Sequence, residues 1–178
     1  MASELQALLA DGKLAGAWTL DGAKSSVGLN SKSMWNLVKV KGRFTQVTGA
    51  AVISAAGEAT GTITVAAASV NTGVKKRDDH LRSADFFDAA KYPDISASVT
   101  SVTLAGDGGD AAFSGTLTVR DQTRPVTISG KVSAQGADQI TLDAELPINR
   151  GDYGMSFNQL NMMSLHNLIT IHAVFTKA

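Results

Sequence analysis

An alternation of period two runs through most of this chain and constrains it more than any other feature. Trp18 and Leu20 share one face of a short strand over 17–20. Val27, Leu29, Ser31, Ser33 and Trp35 do so over 27–35, and Val38, Val40, Gly42 and Phe44 over 38–47. A short strand over 51–54 precedes one over 62–70, where Ile63, Val65, Ala67 and Ser69 are in phase. Ile95, Ala97 and Val99 alternate, and then Val102 and Leu104, a change of phase that predicts a bulge near Thr100-Ser101. Phe113, Gly115, Leu117 and Val119 follow, then runs over 126–132 (including Ile128) and 140–148 (including Leu142). Ile169, Ile171, Ala173 and Phe175 close the chain. One residue in two on a single side is the pattern of half-buried strands.

These runs make about eight or nine strands joined by short turns, which implies antiparallel pairing. A sheet of that size curls, splits or closes, and closure removes its edges. A sandwich would show the same alternation, but the length favours a barrel. Eight strands enclose a space that side chains fill or that holds one small ligand. The inward positions include Ser31, Ser33, Gly42, Ala67, Ala97, Gly115, Gly130 and Ala144. Such small residues leave volume open unless Trp35, Phe44, Phe86, Phe87 and Phe113 occupy it.

The alternation fails in the middle, where residues 77–93 read RDDHLRSADFFDAAKYP. Asp78 and Asp79 are placed to cap a short helical turn around residues 78–90. Leu81, Phe86 and Phe87 do not suit a solvated loop, so the segment folds back onto the core as a plug or a gate. Lys75, Lys76 and Arg77 are met by Asp78 and Asp79, the pattern of a self-neutralised surface turn. A second helix is expected over 3–10, with Ser3 and Gln6 at capping-box spacing and Leu5, Leu8 and Leu9 on one face. The expected division is a helical extension over 1–16, packed over a barrel end, and a barrel domain over 17–178.

Composition excludes several classes of function. The 16 basic and 16 acidic residues balance, which argues against a nucleic-acid surface. Cysteine is absent, so disulfides, thiolate metal sites and a cysteine nucleophile are ruled out. No P-loop, GxSxG, HExxH or calcium-loop spacing occurs. His166 and His172 are six residues apart on a strand, ~20 Å, too far to share a metal. His80 beside Asp78 or Asp85 is the one constellation that suggests an enzyme, but no nucleophile or oxyanion donor accompanies it. No apolar run reaches the ~20 residues of a membrane span. The N-terminus as written has no secretory pattern, which reads as cytoplasmic.

Residues 69–95, SVNTGVKKRDDHLRSADFFDAAKYPDI, resemble the signature of the YceI-like family: Ser-Val-x-Thr, Arg-Asp-x-His-Leu, Asp-Phe-Phe-Asp, Tyr-Pro. Further pieces agree in order. They are Trp18-Thr19-Leu20-Asp21, Lys41-Gly42-Arg43-Phe44, Phe113 to Val119 with Thr123-Arg124-Pro125-Val126, and Ile148-Asn149-Arg150 with Asp152-Tyr153-Gly154. The resemblance implies an all-β fold, an extended eight-stranded antiparallel lipocalin-like barrel with short helical segments. It also implies a bound polyisoprenoid, such as a quinone tail or polyprenyl compound, for carriage or storage, with no other cofactor and no enzymatic activity. Members of this bacterial family are often periplasmic or secreted, and some are homodimers. The family's second strand commonly carries a histidine, which this chain lacks. Ser31 and Ser33, or Trp35, stand in its place.

The expected ligand-binding residues line the barrel interior: Val27, Leu29, Trp35, Phe44, Ile63, Val65, Phe86, Phe87, Phe113, Leu117, Ile128, Leu142, Ile169 and Ile171. A filled structural or interaction barrel without a ligand is the main alternative, and a small enzyme using His80 is another.

Overall fold

The computed structural model describes residues 4–33, 37–105, 109–155 and 165–178, the side chains of 32 and 33 excepted. Two short helices accompany the strands, α1 (Glu4–Ala10) and α2 (Lys75–Arg82). The strands are β1 (Gly16–Leu20), β2 (Ser26–Ser33), β3 (Val38–Phe44), β4 (Val47–Ile53), β5 (Ala59–Ala66), β6 (Val70–Asn71), β7 (Asp94–Ala105), β8 (Asp110–Val119), β9 (Gln122–Ala134), β10 (Gln139–Asn149) and β11 (His166–Lys177). Every pairing is antiparallel. The circuit β1-β4-β5-β7-β8-β9-β10-β11 closes through the pairing of β1 with β11, giving an eight-stranded barrel.

The remaining three strands extend one half of the wall. β11 pairs with β1 near its C-terminal end (Leu20↔Phe175) and with β2 further back (Leu29↔Ile169). β2 then pairs with β3, and β3 with β6. So two stretches expected to be single strands are each broken in two. The expected strand over 38–47 divides at Thr45-Gln46, and Val47 belongs to the next strand. The strand over 62–70 is interrupted by a 3-10 turn over Ala67–Ser69. Ser69 does not face the core there, because its hydroxyl donates to the Ala66 carbonyl and accepts from the Gln46 amide. The expected phase change in β7 is present as a register shift between Val99 and Ser101.

α2 begins at Lys75, earlier than the acid pair suggests. Asp78 is not its cap. It is buried in the first turn and accepts from the Thr72 amide at 2.8 Å and the Thr72 hydroxyl at 2.5 Å. Residues 83–92 fold into successive turns held by backbone bonds, Phe87 to Leu81, Asp88 to Ser83 and Ala89 to Arg82. Asp88 takes a left-handed φ of 49°, which aspartate tolerates better than most residues. At the opposite end α1 lays Leu5 against the core, and Glu4 accepts from the Gly136 amide. Ser3, its expected cap, lies outside the described residues. No helix among the described residues is long and apolar enough to cross a membrane.

Candidate functional site

Among the described residues, a cavity lies toward each end of the interior. The upper one, beside α2, has a volume of about 270 Å³. Of the residues expected to bind ligand, Val27, Leu29, Phe44, Ile63, Val65, Phe86, Phe87, Leu117, Ile128, Ile169 and Ile171 line it. The lower cavity is about 150 Å³ and lies under α1, where Leu5, Leu9, Leu14 and Trp18 bound it. Phe113 and Leu142 belong to this lower cavity, not with the rest, and Ile63 touches both. Trp35 lies outside the described residues.

Strand phase explains this arrangement. Along β10, Leu142 faces the lower cavity and Leu146 and Ile148 the upper, with Ala144 buried between them. Along β11 the same series runs Phe175, Ala173, Ile171 and Ile169. Periodicity fixes the face a residue occupies but not its depth, which is why Phe113 and Leu142 could not be separated from the others beforehand. The inward glycines do not supply the open volume. A Cβ at Gly115 would overlap the Ser98 carbonyl, because the β7 bulge brings that backbone close. At Gly42 it would meet the Thr72 methyl at 2.8 Å.

The segment after α2 forms the cover of the upper cavity. Phe87 packs edge-on against Phe44 with centroids 5.7 Å apart, and Phe86 lies 5.0 Å from the His80 ring. Leu81, Phe86 and Phe87 all reach the cavity. The outer side is polar: Lys75 and Arg82 pair with Asp79, and His80 with Asp85. The Lys75 ammonium holds the exposed Asp79 carboxyl below its usual pKa. Arg82 also donates to the carbonyls of Ala68 at 2.8 Å and Val70 at 3.0 Å. Arg77 departs from the expected surface turn. It lines the cavity and donates to the Thr72 hydroxyl at 2.8 Å and carbonyl at 2.9 Å. Four residues separate Arg77 from Leu81, so one face of the helix carries both inward.

The largest omission from the expected site is Arg150. It lines the upper cavity at 5% exposure, and its Nη1 donates to the Met155 carbonyl at 2.5 Å. Its guanidinium carbon is 5.3 Å from the centre of the Phe86 ring. Burial lowers its pKa from the usual arginine value. Its signal was present in the sequence, since Arg150 continues the inward phase of Leu146 and Ile148. Asn167, buried on β11 opposite Ile148, also lines the cavity. Ser31 lines it too, where the family histidine was looked for.

His80 is outside the cavity wall, and His172 is exposed and bonded to Asp143 at 2.6 Å. Among the described residues no group of histidine, aspartate and glutamate side chains is placed to hold a metal ion.

An enclosed barrel with an aliphatic interior and this cover is matched by the YceI-like domain family over residues 18–176. The chain belongs to the YceI-like family. "Protein YceI" of an Escherichia coli strain is 45% identical over 76 residues, 43% of this chain and 39% of that protein. The matched stretch is therefore well under half of the curated relative's length. Among solved structures, Burkholderia cenocepacia BcnA superposes with a TM-score of 0.79 at 27% identity, covering 87% of this chain and 98% of its own. A polyisoprenoid binding domain from Saccharophagus degradans superposes with a TM-score of 0.74, covering 90% and 98%. At 23% identity that likeness speaks for the fold.

Proposed function

We propose that this YceI-like barrel binds the chain of an isoprenoid lipid, for carriage or storage, and performs no chemistry of its own. The observation that carries the proposal is the upper cavity, enclosed by aliphatic and aromatic side chains and left unfilled by them. An apolar cavity stays dry and takes an apolar guest. Burying hydrocarbon yields about 0.8 kcal/mol per CH₂, so each five-carbon unit gives roughly 3–4 kcal/mol before ordering costs. The printed description of the Saccharophagus degradans neighbour as polyisoprenoid-binding supports the same chemistry.

The volumes bound the guest. At about 30 Å³ for each water-sized group, the upper cavity takes about nine non-hydrogen atoms, or roughly two isoprene units. The lower cavity adds about one more unit by the same measure, provided the chain passes Ile63. A longer polyprenyl or quinone tail must displace interior side chains or project from the barrel. Thirteen of the fourteen interior residues named from the sequence, all but Trp35, divide accordingly in this proposal. The eleven that line the upper cavity meet the first part of the chain, and Phe113 and Leu142 meet its far end.

Organic extraction of the purified protein followed by mass spectrometry tests the proposal. A prenyl-chain species near one-to-one stoichiometry is expected. Absence of lipid, together with no rise in melting temperature on adding farnesol or a short-chain quinone, would overturn it.

A further inference from the structure

The balanced charge of the chain conceals a local excess. From Gly22 to Gly57 there are five basic residues, Lys24, Lys32, Lys39, Lys41 and Arg43, and no acidic one, while the other 11 basic residues share the rest with all 16 acidic ones. β3 turns that excess into a surface. Val40, Gly42 and Phe44 face the upper cavity, so Lys39, Lys41 and Arg43 stand in a row on the outer face, all three exposed and about 7 Å apart along the strand. None of the three forms an ion pair among the described residues. Their neighbours across the wall carry no charge: Asn30 and Leu168 lie beside Lys41, and Gly28 and Thr170 beside Arg43.

The tip of the same ribbon is apolar. Leu37 is 84% exposed, and Val38, 44% exposed, continues the inward phase two residues beyond Val40, which lines the cavity. Apolar surface thus continues from the cavity wall to the exposed tip. Val74, also exposed, follows Thr72, whose methyl lies over Gly42 of β3. A cationic face ending in exposed aliphatic side chains matches a partner of mixed chemistry, a bilayer with an anionic surface and a hydrocarbon interior. Nucleic acid would satisfy the cations and leave Leu37 and Val38 in water. We propose that the β2–β3 ribbon docks on an anionic lipid membrane, with Lys39, Lys41 and Arg43 on the headgroup phosphates and Leu37 and Val38 in the interface. Docked this way, the ribbon sets the upper end of the barrel against the membrane. That this serves exchange of ligand rests on the lipid-binding proposal; the docking itself does not.

The test is sedimentation of the purified full chain with vesicles of phosphatidylcholine, alone or mixed with phosphatidylglycerol, at about 0.1 M salt. Binding to the mixed vesicles is expected to be at least about tenfold stronger than to phosphatidylcholine alone, and to fall as added salt screens the charges. Lys39→Glu combined with Lys41→Glu should remove that preference. Lys13→Glu combined with Lys131→Glu changes the net charge equally at exposed positions off the ribbon, and should keep it. Equal losses in the two pairs would mean that net charge alone acts, which overturns the docking face. Leu37→Asp should also weaken binding at least about tenfold, and unchanged binding would overturn the interfacial tip. The wild-type comparison decides the matter even where a variant does not fold: no preference for the anionic vesicles overturns the proposal. Capture of a duplex oligonucleotide in their place would reassign the face to nucleic acid. Vesicle binding without extractable lipid supports the docking and counts against the lipid-filled cavity, whereas extractable lipid without vesicle binding does the reverse.

Discussion

The two ends of the barrel are built differently. The lower end is closed by hydrocarbon from α1 and the turn that follows it: Leu5 and Leu9 of the helix and Leu14 of the turn meet Trp18, Phe113, Leu142 and Phe175, and among the described residues no charged side chain lines the cavity they share. Trp18 is 1% exposed, and its indole N–H is spent on the Leu14 carbonyl at 2.9 Å. The upper end has Phe44, Phe86 and Phe87 as its apolar part, yet two guanidiniums and an amide reach the same space. A polar group retained in an interior has to be matched by something. The contrast is therefore one of lining as well as size: hydrocarbon dominates the smaller lower cavity, whereas cationic and amide side chains reach the larger upper one.

Three substitutions would break or sharpen that contrast. The largest effect is expected from Trp18→Ala. It removes a fully buried indole from the lower cavity and should cost about 3–5 kcal/mol of stability, measured by denaturant unfolding. If the loss is under about 1 kcal/mol, the lower end is not a packed closure. Next is Ile63→Trp, at the one residue among those described that touches both cavities. Blocking the passage should lower the ratio of farnesyl to geranyl affinity by about tenfold, since one isoprene unit loses its burial. An unchanged ratio would mean that the cavities do not share a chain. The smallest concerns Tyr153, buried as the last residue of the Arg150–Tyr153 turn. Burial raises its phenol pKa, with the Asp152 carboxylate adding to the effect. The unfolded chain thus ionises first, and stability present below the ordinary tyrosine pKa is lost as pH rises through it and on toward the folded value. Tyr153→Phe should flatten that loss in unfolding midpoints measured between about pH 8 and 11. An identical pH profile would show that the phenol does not ionise differently in the folded state.

Much of this was legible in the sequence, and the exceptions have physical causes. Alternation identified the inner face of nearly every strand, and the phase slip in β7 announced its bulge. Breaks inside a strand position were not visible. Thr45-Gln46 and Ala67–Ser69 carry no glycine or proline, and they turn because Ser69 bonds to both neighbouring segments. Arg77 was misplaced because its neighbours are ions. Lys75 and Asp79 do pair at the surface, but the helix turns Arg77 the other way. Arg150 was overlooked because a cation at the end of an apolar series looks like the point where burial stops. Here the series continues one residue further.

The broken wall positions also decide where the molecule is easiest to part. The eight-stranded circuit is a continuous hoop of ladder bonds around the lower half. Above it β6 pairs only with β3, and β7 with β5 and β8, so no ladder joins β6 to β7 among the described residues. The two margins are laced instead by the stretch between them, through Arg82 on the Ala68 and Val70 carbonyls and the Ala67 amide on Pro93. Opening the hoop means tearing strand from strand, whereas opening this seam means undoing side-chain and turn contacts, those of Arg82 and Ala67 among them. A guest as long as a lipid could then be admitted sideways with the hoop undisturbed.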